Sequence, residues 1–160
     1  RGGRLEFSYQ IGVDDAPPND PAPVLRAAIE AYHRGGFPGQ YELLSAEGYF
    51  HIVPTARANA TGTPEPIQSP FDAVITIDGA GRPPELVVKE LVQSVRSISG
   101  YQVVIGRTPF LPGEQPPIDQ RFENAGARAV LRSIIRATGR LRIWYLMYDI
   151  GGRRYYFSIV

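Results

Sequence analysis

The stretch RFENAGARAVLRSIIRATGRLRIWYLMYDIGGRRYYFSIV, residues 121–160, carries a complete strand-helix-strand-strand pattern. Its first residues predict a strand, and Asn124 follows as a candidate helix N-cap, because its side-chain oxygen can accept a hydrogen bond from a free amide at a helix start. Apolar residues then recur at helical spacing as far as Gly139, which stops the helix. The remaining residues, 142–160, predict a hairpin that turns at a Gly-Gly pair.

The periods of these elements divide their side chains into two faces. One apolar stripe of the helix contains Val130, Leu131, Ile134, Ile135 and Thr138. On the first strand of the hairpin, one face carries Trp144, Leu146 and Tyr148, and the other carries Tyr145 and Met147. We expect one of these two sets to lie in the core.

Two similar units precede this one. Residues 5–11 alternate between apolar and polar side chains, as in a half-buried strand. After Asp20-Pro21, residues 24–32 have helical spacing, and Gly35-Gly36 end that helix. Residues 41–54 then predict a hairpin that Pro54 stops.

The middle unit follows a proline-containing segment without periodicity. Residues 73–78 predict a strand, and Pro83-Pro84 open a helix that ends at Gly100. Residues 101–106 predict the next strand. The apolar residues assigned to this helix are Leu86, Val87, Leu91, Val95 and Ile98.

The order of elements predicts an α+β protein of three β-α-β-type units, with amphipathic helices packed on antiparallel or mixed sheet. We assign residues 1–54 to one lobe, 55–70 to a crossover loop and 71–160 to a second lobe, within one compact domain. The heptads VLRAAIE (24–30) and VLRSIIR (130–136) share four of seven residues. This similarity reflects either an internal duplication of β-α-β-β or convergence on one amphipathic pattern.

Several classes of chemistry have no signature in this chain. There is no cysteine, so disulfides, thiol catalysis and cysteine-based metal sites are excluded. No apolar run is long enough to span a membrane as a helix. Nucleotide-binding glycine loops and the Gly-x-Ser-x-Gly elbow are also absent. We therefore predict no catalytic residues, no cofactor and no metal.

The charge is distributed unevenly along the chain. Residues 121–160 hold eight arginines against Glu123 and Asp149, whereas the first 120 residues have a net charge of −5. The candidate partner-binding surface comprises Arg128, Arg132, Arg136, Arg140, Arg142, Arg153 and Arg154. Three interpretations stay open, namely a solvated structural face, a docking surface for an acidic protein partner or for the other half of a neighbour, and a surface for nucleic acid or anionic lipid headgroups.

The third unit also resembles a known family. Phe122 and Asn124 at a strand end, Val130-Leu131 in the helix, and Ala-Thr-Gly (137–139) before an aromatic strand are similar to the short N-terminal domain of bacterial secretins and TonB-dependent outer-membrane receptors. The resemblance covers residues 117–160, with a weaker echo at 71–106. It implies a periplasmic or otherwise extracytoplasmic, non-enzymatic docking or signalling module with a protein partner in the cell envelope.

Two other functions are weighed against this one. A basic RNA- or DNA-binding domain would use the arginines together with the neighbouring aromatic side chains, although the acidic first 120 residues would repel phosphate. A small-molecule-binding protein or hydrolase would depend on His51, since His33 and His51 are the only histidines. Asn59-Ala60-Thr61 matches a glycosylation sequon, which we interpret as a chance match.

Overall fold

A computed structural model describes residues 20–37, 39–46, 49–59, 61–110, 115–139, 143–149 and 154–160. The chain divides into two compact units, residues 1–69 and residues 70–160. The described residues form three α-helices and eight strands in antiparallel and mixed sheets, which confirms the predicted α+β class. In the described part of the chain, no helix is long and apolar enough to cross a membrane.

The first unit combines one helix with an antiparallel sheet in the order β1-β2-β3. Its elements are α1 (Ala22–Arg34), β1 (Gln40–Ala46), β2 (Tyr49–Ala58) and β3 (Pro64–Pro66). The Asp20 side chain accepts a hydrogen bond from the Ala22 amide at 2.9 Å, and the helix ends at Gly35, so both predicted helix boundaries are confirmed. The strand predicted at 5–11 lies outside the described residues.

The prediction that Pro54 stops the hairpin was wrong, because β2 continues to Ala58. Pro54 lies opposite Tyr41, whose amide points away from β2 and donates to His33. Tyr41 and Pro54 therefore form a pair without backbone hydrogen bonds between them, and the Pro54 nitrogen faces the other side of β2. On that side β3 pairs with residues 56–58 and does not reach Pro54, so the missing amide hydrogen breaks no hydrogen bond to β3. Residues 55–58 and 64–66, predicted as parts of a crossover loop, are accordingly strands.

The second unit contains two helices and two small sheets. Its elements are β4 (Val74–Asp78), α2 (Pro84–Ser99), β5 (Gln102–Ile105), β6 (Arg121–Gly126), α3 (Ala127–Ala137), β7 (Trp144–Asp149) and β8 (Arg154–Ile159), and a short 3₁₀ turn (Pro70–Asp72) precedes β4. The predicted order β-α-β followed by β-α-β-β is present. The strands that flank each helix nevertheless belong to different sheets, since β4 pairs with β6 and the other sheet has the order β5-β8-β7.

The predicted start and end of α2 are confirmed. Pro84 occupies the first turn, where its missing amide hydrogen has no partner to lose, and Gly100 adopts φ +69° after the last turn. Of the apolar residues assigned to this helix, Leu86 and Ile98 do not lie in the core, because their side chains are 46% and 57% exposed. The helix instead buries Val87, Val88, Leu91, Val92 and Val95.

Asn124 does not cap α3 as predicted. It lies within β6 and has a φ of +47°, which asparagine tolerates better than most residues. Between Ile75 and Ile77 the β4–β6 register shifts, so β6 carries an extra residue and the strand bulges at this point. The residue at the N-cap position of α3 is Gly126, in an extended conformation.

The core of the second unit lies between the helices and the two sheets. The predicted α3 stripe is confirmed, since all five of its residues are buried. Phe71 stacks on Phe157 and Trp144, with ring centroids 5.1 and 5.3 Å apart. Of the two faces of β7, the one that carries Trp144 packs on the core, whereas Tyr145 and Met147 are exposed.

Candidate partner-binding surfaces

The predicted arginine surface is only partly described. Arg128, Arg132 and Arg136 lie one turn apart on α3, on a flank of its buried stripe. Arg154 begins β8, on a different element. The other three candidates, Arg140, Arg142 and Arg153, lie outside the described residues.

Arg128 is tied into the fold. Its Nη2 lies 2.6 Å from Oδ1 of Asp72, and only 14% of its side chain is exposed. This ion pair joins the first turn of α3 to the 3₁₀ turn before β4. Arg128 therefore has a structural role, whereas Arg136 is exposed at the other end of the same helix.

Arg154 belongs to an aromatic surface on the sheet of β7 and β8. Its guanidinium carbon lies 5.2 Å from the ring centroid of Tyr156, within cation–π range. Met147 is the cross-strand partner of Tyr156, and Tyr145 follows two residues earlier on β7. The solvent side of this sheet thus presents Tyr145, Met147, Arg154 and Tyr156, here called the outer sheet face.

A groove of about 640 Å³ lies alongside β4 and α2. The residues that bound this α2–β4 groove include Thr76, Leu86, Glu90, Gln93, Ser97 and Ile98. The sequence predictions missed it. The available signal was the position of Leu86, which lies about 180° around the helix from Val95 and therefore opposite the stripe that α2 buries.

The histidines have structural surroundings in the first unit. Nε2 of His33 accepts a hydrogen bond from the Tyr41 amide at 3.1 Å, which links the end of α1 to β1. His51 lies on β2 opposite Leu44. Among the described residues, no group of three or more His, Asp or Glu side chains could hold a metal ion. A smaller cavity of about 340 Å³ is lined by His33, Phe37 and Pro64.

Aromatic rings pack around the end of α1. Tyr32 stacks on Phe37 at 5.1 Å and meets the edge of Tyr41 at 5.3 Å between ring centroids. Burial raises the pKa of the Tyr32 hydroxyl, and its interaction and hydrogen bond with Tyr41 raise that pKa further. The folded state therefore favours the protonated, neutral form of the Tyr32 hydroxyl.

Asn59 of the sequon organises the connection between β2 and β3. Its Oδ1 accepts hydrogen bonds from the Thr61 amide, the Thr61 hydroxyl and the Thr63 amide at 2.7–3.0 Å. Its Nδ2 donates to Glu65 at 3.1 Å. Since a glycan would be attached to that nitrogen, the side chain already has a structural use that modification would disturb.

No protein-family model, curated protein or solved structure matches this chain. The comparisons therefore provide no link to the secretin and TonB-dependent receptor domains.

Proposed function

We propose that this chain is a non-enzymatic, exported bacterial protein-interaction domain that docks an acidic protein partner. The observation that carries the proposal is the outer sheet face. On this face Met147 is 57% exposed and Tyr145 is 46% exposed, next to the Arg154–Tyr156 pair.

The composition of the outer sheet face is typical of protein interfaces. Tyrosine, methionine and arginine are enriched at such interfaces, where they combine large apolar contact area with hydrogen-bonding capacity. A methionine side chain also adapts its shape to a partner. Because these residues lie on paired strands, the backbone already holds them in position before binding.

Charge supports an acidic partner. Residues 121–160 hold eight arginines against two acidic residues, and of these arginines the structure places Arg154 on this face. Complementary potentials steer encounter and fix the orientation of a complex. An acidic partner would meet Arg154 beside the exposed aromatic and methionine side chains.

The location in the cell envelope is supported by the resemblance alone. Phe122, Asn124, Val130-Leu131 and Thr138-Gly139 are similar to the short N-terminal domain of secretins and TonB-dependent receptors. The role that this resemblance implies is docking or signalling.

Site-specific photo-crosslinking tests the proposal. A photoreactive phenylalanine derivative replaces Met147 in the full-length protein in bacterial cells, with Gln120 as the exposed control position. We expect a crosslinked product in the envelope fraction that forms at Met147, is absent at Gln120, and is reduced by Arg154→Glu. Recovery of the full-length protein in the cytosolic fraction, or the same crosslinked products at Met147 and Gln120, would overturn the proposal.

A titration with a single-stranded oligonucleotide distinguishes the alternative, a nucleic-acid-binding domain, from the proposed protein-interaction domain. Phosphate contacts weaken steeply with ionic strength, so such a domain binds tightly at low salt and loses affinity as salt rises. The pairing of Arg128 with Asp72 engages one of the arginines that this function would use. Absence of binding at low salt removes the alternative.

A further inference from the structure

One edge of the β4–β6 sheet faces the α2–β4 groove. In the described part of the chain, β6 is the only strand that pairs with β4. Thr76, in the middle of β4, lines the groove together with residues of α2. An open strand edge presents amide and carbonyl groups that another extended chain can use.

The hydrogen-bond pattern identifies the groups on this edge. The Ala73 carbonyl accepts from the Ala127 amide at 2.9 Å, so Ala73 faces β6. Ile75 also faces β6, because the direction of the backbone groups alternates along a strand. The amide and carbonyl groups of Val74 and Thr76 therefore point away from β6, and of these two residues Thr76 lines the groove.

The same alternation places the Asp78 carbonyl on this edge. It accepts a hydrogen bond from Nη1 of Arg82 at 2.8 Å, and Arg82 lines the groove. The Asp78 carbonyl is thus satisfied within the protein, and in the described part of the chain no strand pairs with Val74 and Thr76 on this edge.

The groove has the length of a short strand. Leu86 and Ile98, its two exposed apolar residues, are twelve positions apart on α2, which is about 18 Å along the helix axis. An extended chain covers about 3.3 Å per residue, so five or six residues span that distance. β4 itself has five residues, Val74–Asp78.

The charges in the groove are balanced. Arg82 forms an ion pair with Glu90, and Lys89 pairs with Glu85 at 2.5 Å. The remaining polar lining includes Gln93 and Ser97, which are uncharged. A charged side chain entering the groove would displace one of these ion pairs, whereas an uncharged one would not.

We propose that the α2–β4 groove binds an extended, uncharged segment of a partner protein, which adds to β4 as a third strand. This inference rests on the proposed function, because it specifies how a protein partner is held. Backbone hydrogen bonds to Val74 and Thr76 supply affinity, and alternate side chains contact Leu86 and Ile98.

A capped peptide, acetyl-Ser-Val-Thr-Ile-Thr-Val-Ser-amide, tests the proposal with the full-length ¹⁵N-labelled protein. We expect saturable shifts of the Val74 and Thr76 amides in NMR titrations, with a dissociation constant below about 1 mM. Two analogues, one N-methylated at odd positions and one at even positions, test which edge of the peptide binds, because the amides of a strand point alternately to its two sides. One analogue should bind like the parent and the other should not.

Matched variants test the protein side. Thr76→Pro removes the edge amide, and Thr76→Val keeps it, while both lose the 3.2 Å hydrogen bond from the Asn124 amide to the threonine hydroxyl. We expect Thr76→Pro to weaken peptide binding about tenfold relative to Thr76→Val. If Thr76→Pro does not fold, Ser97→Arg serves instead, since it fills the groove, with Gln102→Arg on β5 as its control.

Equal affinity of Thr76→Pro and Thr76→Val would overturn the inference. So would equal binding of the two methylated analogues, peptide-induced shifts confined to other elements, or no binding at about 1 mM peptide. Loss of affinity in Ser97→Arg but not in Gln102→Arg supports it. Failure of peptide binding with intact crosslinking at Met147 would reject this inference and leave the proposed function standing.

Discussion

Nη2 of Arg128 lies 2.6 Å from Oδ1 of Asp72, and the two side chains are 14% and 35% exposed. We predict that Arg128→Ala or Asp72→Asn lowers the free energy of unfolding of the second unit by about 1–3 kcal/mol, because each leaves a partly buried charge without its opposite. Fluorescence of Trp144, the only tryptophan, reports the urea denaturation, since its ring lies against Phe71.

Arg121→Ala is the control for this prediction. Arg121 lies 3.5 Å from Glu123, and both side chains are more than 60% exposed, so we expect a change within about 0.5 kcal/mol. Equal losses in the Arg121 and Arg128 variants would show that burial does not distinguish these ion pairs.

The two faces of the β7–β8 sheet should respond differently to truncation. Phe157 is fully buried against Phe71 and Trp144, and Phe157→Ala should lower the free energy of unfolding by about 3–5 kcal/mol. Met147→Ala on the outer sheet face should change it by less than about 0.5 kcal/mol. Circular dichroism during urea denaturation measures both, and a large loss in Met147→Ala would contradict the exposure of this face.

Asn59 should stabilise the first unit through the hydrogen bonds that its Oδ1 accepts. Asn59→Ala leaves the Thr61 and Thr63 amides without that acceptor, and we expect a loss of about 1–2 kcal/mol. Glu65→Ala removes only the acceptor of the Asn59 Nδ2, keeps the hydrogen bonds to Oδ1 and should lose less. Hydrogen exchange of the β2 and β3 amides measures the effect, and equal exchange rates in the two variants would refute it.

The raised pKa of Tyr32 predicts a loss of stability at high pH. In the unfolded chain, tyrosine titrates near pH 10, whereas the folded state retains the Tyr32 proton to higher pH. The contribution of Tyr32 to the free energy of unfolding is therefore fully present below about pH 10. It is lost as the pH rises through the pKa that Tyr32 has in the folded state. Absorbance titration at alkaline pH, compared between wild type and Tyr32→Phe, isolates this group. If the difference between the two titration curves has its midpoint at or below pH 10, the prediction is wrong.

Local sequence chemistry was sufficient for much of the secondary structure. The bounds of α2 follow from Pro84, which suits a first helical turn, and from Gly100, which takes a φ that other residues avoid. The two faces of β7 follow from the period of a strand, and the structure selects the face of Trp144 for the core. The bounds of α2 and the division of β7 into two faces depend on neighbouring residues only, so the sequence is enough to predict them.

The candidate sites could be predicted only in part. The strand period separated Tyr145 and Met147 from Trp144, Leu146 and Tyr148, but only the structure shows that Tyr145 and Met147 are the exposed set. The arginine stripe on α3 was also foreseen, but not the pairing of Arg128 with Asp72, which lies 56 residues earlier in the chain. Helical periodicity places a side chain on a face and does not identify its tertiary partner.

Three features were decided by the tertiary structure. Pro54 stays within β2 because none of the described strands pairs at its nitrogen, and Asn124 lies in a bulge of β6 where a helix cap was predicted. The pairing of β4 with β6 brings one strand edge alongside α2, and with it the groove. Backbone ladders form between any two extended segments, so strand partners are selected by how the buried faces pack together. By itself, the sequence determined the elements and their apolar faces; the packing of those faces determined which strands pair and which edge stays open.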